Sequence, residues 1–263
     1  MSYKNILKIV MLGDVIGNSG IEQLYLKLPE MRKKENLDLI IANGENSNNG
    51  FGITEDNLKV YKQCGIDVIT SGNHIWSNSD VNKLLQSYSY LLRPANYPEA
   101  EGKGYYIVNI DNIKIGVVNL IGRYYMLPLD CPFHILNKLL KLELKGCDFV
   151  LVDFHAEFAT EKFSLANEFD GKVTLVCGTH THVQTADETI LPKGTGYITD
   201  LGMCGTIDGI IGMDKDVTLK KIVNQSFSTF IPAKEAKSGR IQGILSSINK
   251  ETKKLVEIKR FSI

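Results

Sequence analysis

The chain has 263 residues, enough for one large domain or two small ones with a sizeable buried core. Hydrophobic residues make up 43% of it and charged residues 23%, which is ordinary for a globular protein that folds in water. Thirty basic side chains balance 30 acidic ones, so no net charge attracts nucleic acid or an anionic membrane, and an anionic substrate must be held locally.

The cysteines and the hydropathy pattern indicate the cellular setting. Five cysteines, odd in number, widely spaced and without a C-x-x-C pair, indicate neither a disulfide framework nor a structural zinc site, and favour a reducing cytosol. The apolar stretch 6–12 is interrupted by Lys8 and runs into Gly13-Asp14 without a cleavage-like site, and no run approaches membrane-spanning length. We expect a soluble cytoplasmic protein that forms a single domain over residues 1–263.

The first third of the chain alternates apolar runs with helical segments. Residues 6–12, 37–42 and 66–71 each predict a buried strand. The segments between them predict helices, the second of which Thr54 could cap. This β-α-β-α-β order predicts mostly parallel strands whose polar ends share one edge of a sheet.

The middle of the chain introduces antiparallel pairing. Residues 80–87 predict a short helix, and the two prolines of the segment 93–98 predict an extended connection. Asp111-Asn112 lies between two apolar runs and predicts a hairpin. The remaining segments predict, in order, a helix at 133–145, a buried strand at 149–154, a helix ending near Phe169 and a strand at 173–177.

The C-terminal third predicts short strands and loops. Strands are expected at 189–191 and 196–199 around the turn Pro192-Lys193-Gly194, and a closing hairpin at 243–248 and 255–261. The glycine-rich segment 200–212 predicts a long functional loop.

Polar side chains close five of these predicted strands. They are, in chain order, Asp14, Glu45 with Asn46, Asn73 with His74, His155, and His180 with His182. Each has a structural explanation by itself: Asp14 as a helix N-cap, Asn46 and Asn73 as turn residues, and His155 as a satisfied core histidine. Together they favour a metal site, because the carboxyl ends of such strands meet at one edge and a His-x-His pair in extended backbone can converge on one point.

In this order the blocks resemble the signature of the metallophosphoesterase (calcineurin-like phosphoesterase) superfamily. That signature runs Asp-x-His, a second acidic residue, Gly-Asn-His, a lone His and Gly-His-x-His. Here Ile16 replaces the histidine of the first block, and the second acid is Glu45 rather than Asp. Both departures, with the segments 93–98 and 200–205, resemble the bacterial YmdB-like branch, in which an Asn after the bridging Glu supplies the missing ligand.

The resemblance implies a four-layer αββα sandwich with mixed sheets, two metal ions and phosphodiesterase activity. The expected substrates are 2′,3′-cyclic nucleotides, with 3′,5′-cyclic nucleotides as a second class. Glu45 is expected to bridge the ions, and the remaining ligands divide into two sets: Asp14, Asn46 and His182 for one metal, and Asn73, His155 and His180 for the other. His74 is expected to protonate the leaving ribose oxygen or stabilise the transition state; the alternative is that it only orients a carboxylate.

The residue types are compatible with this chemistry. Two divalent ions, two carboxylates and a bridging hydroxide leave about one positive charge, which suits a phosphodiester monoanion. Oxygen and imidazole ligands without cysteine suit manganese, iron or zinc and disfavour copper. The resemblance implies iron or manganese, with zinc and magnesium as the alternatives. Arg93 and Arg123 are weaker candidates for phosphate contacts, since a surface ion pair explains each equally well.

Other functions remain open on the same scaffold. A phosphomonoesterase or a nuclease would use the same metal ligands. A regulatory protein that binds nucleotide without turnover is a further alternative. A zinc amidohydrolase is disfavoured, because in that class the His-x-His pair opens the chain, whereas here it follows the other blocks. We expect a small phosphodiester as partner, no membrane and no strong nucleic-acid signal, and leave a homo-oligomer open.

Overall fold

The computed structural model describes residues 5–234 and 238–263. Its strands and helices, numbered in chain order, are β1 (Ile6–Val15), α1 (Gly17–Glu35), β2 (Leu39–Asn43), α2 (Glu55–Gln63), β3 (Val68–Thr70), α3 (Val81–Ser87), β4 (Tyr105–Ile110), β5 (Ile113–Ile121), α4 (Pro132–Lys141), β6 (Phe149–His155), α5 (Ala159–Glu168), β7 (Leu175–Thr179), β8 (Thr189–Ile190), β9 (Gly196–Ile198), β10 (Met203–Thr206), α6 (Lys215–Asn224), β11 (Gly239–Arg240), β12 (Gln242–Asn249) and β13 (Lys254–Ser262).

The first sheet is built around β1. On one side β1 pairs with β2, which pairs with β3, and all three strands are parallel. On the other side most of β1 pairs with antiparallel β12 of the predicted closing hairpin, and its last residues pair with parallel β10. Asp14 is therefore flanked by Asn43 of β2 and Met203 of β10.

The second sheet has the strand order β4-β5-β6-β7-β9-β8. Strands β5, β6, β7 and β9 are parallel, and the hairpin partners β4 and β8 are antiparallel. The register places His155 of β6 between Ile121 of β5 and Thr179 of β7. Both sheets are thus mixed, as predicted.

Apolar side chains arrange the helices and sheets in four layers. Leu24 of α1 and Leu58 of α2 are buried against the outer face of the first sheet. Met11 and Leu151 belong to the core between the two sheets. Leu136 of α4 is buried on the outer face of the second sheet. Because successive side chains of a strand point to opposite faces, each sheet serves two cores, and the predicted αββα sandwich is confirmed.

The start of α2 follows the predicted capping rule. The Thr54 hydroxyl accepts a hydrogen bond from the backbone N–H of Asn57 at 3.2 Å. The Asn57 side chain accepts one from the backbone N–H of Thr54 at 2.9 Å. This reciprocal pair satisfies two amides that the first turn of a helix leaves unpaired.

Three predicted segments differ from the observed ones by more than two residues. Strand β1 continues to Val15, so Asp14 lies within a strand rather than in a turn, because Asp14 and Val15 pair with β10. Part of the predicted loop 200–212 is β10 itself, whose glycine content hid its pairing with β1. The predicted helix 133–145 ends at Lys141, since the chain turns through Gly146, with φ at 92°, before entering β6.

Helix α6 was not predicted. It begins where the Asp214 carboxylate accepts a hydrogen bond from the backbone N–H of Val217 at 2.9 Å. In the part of the chain that the structure describes, every helix is too short or too polar to span a bilayer.

Candidate metal centre

The polar ends of β1, β2, β3, β6 and β7 meet at one edge of the sandwich. The Asn43 amide donates across the two sheets to the Asp153 carboxylate at 3.0 Å. The backbone N–H of His180 donates to Asp14 Oδ2 at 3.1 Å. These bonds join the strand ends of both sheets, so the predicted convergence on one edge is what the fold produces.

Four of the predicted ligands contact one another around His155. Its Nε2 atom lies 3.0 Å from Asn73 Oδ1, 3.0 Å from His180 Nδ1 and 3.2 Å from Glu45 Oε1. Glu45, His155 and His180 each offer one atom that can bind a metal, and these three atoms all lie within 4.8 Å of one another. This spacing could hold a metal ion. His155 and Glu45 are buried, whereas the His180 side chain is partly open to solvent.

Hydrogen-bond partners indicate which ring nitrogen carries a proton in each of the three histidines. The Thr179 hydroxyl donates its single proton to Asp153 at 2.7 Å, so His155 Nδ1, 2.9 Å from the same oxygen, must donate to it. His180 Nε2 faces the Glu157 carboxylate at 3.2 Å, and His182 Nδ1 faces the carbonyl of Ile211 at 3.1 Å. Carboxylates and carbonyls only accept, so each of these nitrogens carries the proton.

When each ring is neutral, its opposite nitrogen therefore keeps a free lone pair that a cation can bind. His155 Nε2 and His180 Nδ1 face each other at 3.0 Å, with acceptor oxygens of Glu45 and Asn73 beside them. Four acceptors this close repel one another unless a cation lies among them. Ligating histidines commonly donate their other N–H to a carboxylate or carbonyl, as here. This part of the site fits a metal ion.

Two further predicted ligands carry buried oxygens without a hydrogen-bond partner in the described residues, Asp14 Oδ1 and Asn46 Oδ1. The Asn46 amide nitrogen donates to the carbonyl of Gly50 at 2.8 Å, which fixes the side-chain orientation and leaves the oxygen as the open atom. A buried acceptor without a partner loses its hydration and gains nothing in return. A metal ion would satisfy both oxygens.

The second predicted ligand set is Asp14, Asn46 and His182. All three side chains are buried at the same edge. Burial raises the pKa of Asp14 and the nearby His182 opposes that rise, so Asp14 and His182 are close enough to interact.

The ionisation of the site reflects burial and opposite charges. Burial raises the pKa of Asp14 to about 6 despite the nearby histidines. Burial alone would also raise the pKa of Glu45, but His155 outweighs it and the pKa falls to about 2. For His155, burial opposes the charged form, yet the carboxylates of Glu45 and Asp14 raise its pKa to about 9. The cluster therefore attracts a cation, whether a proton or a metal.

Gly72 permits the close approach of the ligands. A Cβ atom at this position would overlap the imidazole of His155 and the carboxylate of Glu45. Only glycine leaves that space free, which explains sterically why the Gly-Asn-His block begins with glycine.

Residues that the sequence did not single out support the ligands from behind. Asp153 is buried and accepts hydrogen bonds from Asn43, Thr70 and Thr179, and Thr179 in turn holds the ring of His155. An acidic residue inside an otherwise apolar strand is the signal that could have identified Asp153.

A buried ion pair supports the His-x-His turn. Asp200 Oδ2 accepts from Lys162 Nζ at 2.8 Å and from the backbone N–H of Thr181 at 3.1 Å, and both charged side chains are buried. Thr181 separates His180 and His182, whose φ angles of 106° and 63° lie in the left-handed region that non-glycine residues rarely adopt. The prediction that this pair lies in extended backbone was wrong, because β7 ends at Thr179 and the chain turns there. Asp200 thus fixes the backbone of a strained turn.

The remaining candidates are His74, Arg93 and Arg123. The backbone N–H of His74 donates to Glu45 Oε2 at 2.8 Å, and its ring packs edge-on against Phe51. The Arg93 guanidinium donates to backbone carbonyls of residues 94, 95, 97, 100 and 101, so it braces that loop rather than facing a phosphate. Arg123 is exposed on the loop that follows β5.

A four-layer αββα sandwich with carboxylate, amide and imidazole groups gathered at one edge defines a protein of the metallophosphoesterase class. Within that class, the chain belongs to the YmdB-like protein family, whose family model matches residues 10–261. The predicted branch is thereby confirmed.

Similar proteins of nearly the same length support the assignment of this chain as a hydrolase. A Bacillus subtilis (strain 168) protein named 2′,3′-cyclic-nucleotide 2′-phosphodiesterase is 40% identical over 262 residues, covering 98% of this chain and 97% of its own. A Mycoplasma pneumoniae crystal structure described as a novel phosphatase matches with a TM-score of 0.92 at 33% identity, covering 98% and 94%. A hypothetical protein from Thermus thermophilus matches with a TM-score of 0.90 at 35% identity, covering 98% and 99%.

Proposed function

We propose that this chain is a dinuclear metal-dependent phosphodiesterase that hydrolyses 2′,3′-cyclic nucleotides, with 3′,5′-cyclic nucleotides as a second substrate class. The observation that carries the proposal is the set of lone pairs turned toward each other around His155, beside the two unpartnered oxygens of Asp14 and Asn46. This arrangement is electrostatically favourable only with cations present.

In this proposal the Glu45 carboxylate would hold both ions. Its Oε1 atom faces His155 Nε2 at 3.2 Å, so it would hold the first ion together with Asn73, His155 and His180. Glu45 immediately precedes Asn46, which would hold the second ion together with Asp14 and His182. Iron or manganese remains our expectation from the family resemblance, and oxygen and imidazole ligands are compatible with either ion.

When bound, the ions would supply positive charge for the phosphodiester and a water molecule of lowered pKa. The protein's own contribution is to orient that site. Thr179 and Glu157 hold the rings of His155 and His180, and the Asp200 carboxylate fixes the turn that carries His180 and His182.

His74 is the proposed catalytic side chain that binds no metal. Its backbone N–H donates to Glu45, which ties the residue to the proposed bridge. Burial lowers the pKa of His74 more than Glu45 raises it, so the imidazole is neutral at neutral pH. A neutral imidazole N–H can stabilise charge on the leaving oxygen by hydrogen bonding, which supports transition-state stabilisation over full proton donation.

The substrate class comes from the similarity to the Bacillus subtilis protein, whose name specifies a 2′-phosphodiesterase. Cleavage of the 2′ ester bond of a 2′,3′-cyclic nucleotide leaves a nucleoside 3′-phosphate. We therefore expect the 3′-phosphate, rather than the 2′-phosphate, as the product of this chain.

The test is turnover by metal-depleted protein after separate addition of manganese, iron, zinc or magnesium. Adenosine 2′,3′-cyclic phosphate should be converted to the 3′-phosphate only after metal is restored, and His155→Ala should stay inactive. His134→Ala is the matched control, since His134 is exposed on α4. Equal turnover with and without metal would contradict the proposal.

A phosphomonoesterase is the second candidate, because the Mycoplasma pneumoniae structure is described as a phosphatase. The same ligands would serve that reaction. A panel containing adenosine 3′-phosphate and 5′-phosphate beside the cyclic diesters distinguishes the two, since a monoesterase would release inorganic phosphate. Stoichiometric binding of the cyclic nucleotide without turnover would instead favour the regulatory alternative.

A further inference from the structure

Three aromatic side chains form an exposed cluster that the core packing does not explain. Tyr124, Tyr125 and Phe158 are 61%, 85% and 40% exposed. The rings of Tyr124 and Phe158 are stacked with centroids 5.8 Å apart, and Tyr125 meets Phe158 edge-on at 5.9 Å. We call these three residues the aromatic cluster. Such a group presents aromatic faces to solvent beside a polar site.

The aromatic cluster lies next to the candidate metal centre. The backbone N–H of Gly122 donates to the carbonyl of His155 at 2.9 Å, and Tyr124 follows two residues later. Phe158 directly follows Glu157, whose carboxylate contacts His180. Three residues of chain span at most about 10 Å, so the Cα atom of Phe158 lies within about 10 Å of the Cα atom of His155. This is comparable with the reach of a nucleoside from its phosphate to its base.

The loop that carries the tyrosines is held in place. The buried Glu161 carboxylate accepts hydrogen bonds from the backbone N–H groups of Arg123 at 3.0 Å and Tyr124 at 3.3 Å. Tyr125 has a φ of 58°, a left-handed conformation that is costly for a bulky residue. Strain held by surrounding bonds is typical of ligand-binding positions. The exposed rings are therefore displayed by a fixed loop.

We propose that the aromatic cluster is the nucleobase-binding platform of the phosphodiester site. The base stacks on an exposed face of the aromatic cluster while the phosphate lies at the metal centre. This inference rests on the proposed function, because the platform is useful only if the substrate carries a base. Every base has a π face, so stacking of this kind tolerates purines and pyrimidines alike.

The experiment compares two cyclic phosphodiesters, one with a base and one without. Adenosine 2′,3′-cyclic phosphate and glycerol 1,2-cyclic phosphate present similar five-membered phosphodiester rings. Loss of one base–aromatic stack should lower kcat/KM of Phe158→Ala on the nucleotide about 5- to 150-fold, mainly through KM. Turnover of the glycerol ester should not change, and Phe158→Tyr, which keeps a ring, should restore the nucleotide reaction.

Two further variants test the same proposal, one within the aromatic cluster and one as a control outside it. Tyr125→Gly removes the most exposed ring while placing glycine at a φ that suits it, so its fold should be intact and its selectivity reduced. Tyr25→Ala removes a 61% exposed tyrosine from α1 and should leave both substrates unaffected. Metal content and oligomeric state are measured on every sample.

The outcomes separate the platform from the proposed function. If the wild type hydrolyses both esters and Phe158→Ala lowers both equally or neither, the platform is wrong while the phosphodiesterase stands. A changed oligomeric state with an unchanged substrate ratio would assign the aromatic cluster to a subunit contact and overturn the platform. If the wild type hydrolyses neither ester, the proposed phosphodiesterase function is contradicted, and the platform that rests on it is contradicted too.

Discussion

The buried ion pair between Lys162 and Asp200 gives the largest stability effect that we expect from one substitution. Asp200→Asn would leave the Lys162 ammonium, 2.8 Å from Asp200 Oδ2 and fully buried, without an opposite charge. Breaking a buried pair in this way typically costs about 3–5 kcal/mol, because the remaining charge cannot be hydrated. The double variant Lys162→Met, Asp200→Asn should recover part of this loss, since neither charge remains.

The same substitution should also affect the metal centre. Asp200 accepts from the N–H of Thr181, which holds the turn between His180 and His182. Each residue in such a backbone conformation costs about 1–3 kcal/mol and depends on surrounding contacts. We therefore expect Asp200→Asn to weaken metal retention as well as stability.

Thermal unfolding measures the stability effect. For a chain of this size about 1 kcal/mol changes Tm by roughly 2–4 °C, so Asp200→Asn should lower Tm by about 6–20 °C. Glu168→Gln is the matched control, because Glu168 pairs with Lys172 at 3.1 Å on an exposed helix face, where about 0.3–0.5 kcal/mol is expected. If both variants melt within about 2 °C of the wild type, the reasoning about the buried pair is wrong.

Three other substitutions probe the centre itself. Asn46→Ala should release one ion more readily than the other on dialysis against chelator, because it removes a ligand of only one proposed ion; equal retention of both would make Asn46 a turn residue. His74→Ala should keep its metals yet lose about 10²–10⁴-fold in turnover. An equal loss on an activated aryl phosphodiester would favour transition-state stabilisation over proton donation, whereas metal loss would make His74 structural. Gly72→Ala should lose metal, because the added methyl group would displace His155 and Glu45; wild-type metal content in this variant would contradict the steric argument.

The sequence predicts the edge of the sheet that carries the site because its signals are local. Each polar block follows an apolar run, and parallel strands bring such ends together whatever the intervening helices are. Glu45, His155 and His180 meet in this way, although they are far apart along the chain. The N-cap at Thr54 is another local pattern that the sequence predicts and the structure confirms.

The remaining features depend on partners distant in the chain. Lys162 and Asp200 are 38 positions apart, and no local pattern pairs them. The sequence predicts a loop where β10 lies, because glycine residues weaken a strand signal and the pairing comes from the distant β1. The tautomers of His155, His180 and His182 follow only from the groups behind each ring, which the fold brings into place.

The most direct test of the two-metal centre is elemental analysis of the purified wild type beside Glu45→Gln. The wild type should carry two ions per chain, and Glu45→Gln should lose both, because the one group expected to touch both ions would be weakened. His134→Ala, an exposed histidine of α4, should retain both ions. Two ions kept at wild-type affinity in Glu45→Gln, or a single ion in the wild type, would contradict a dinuclear site bridged by Glu45.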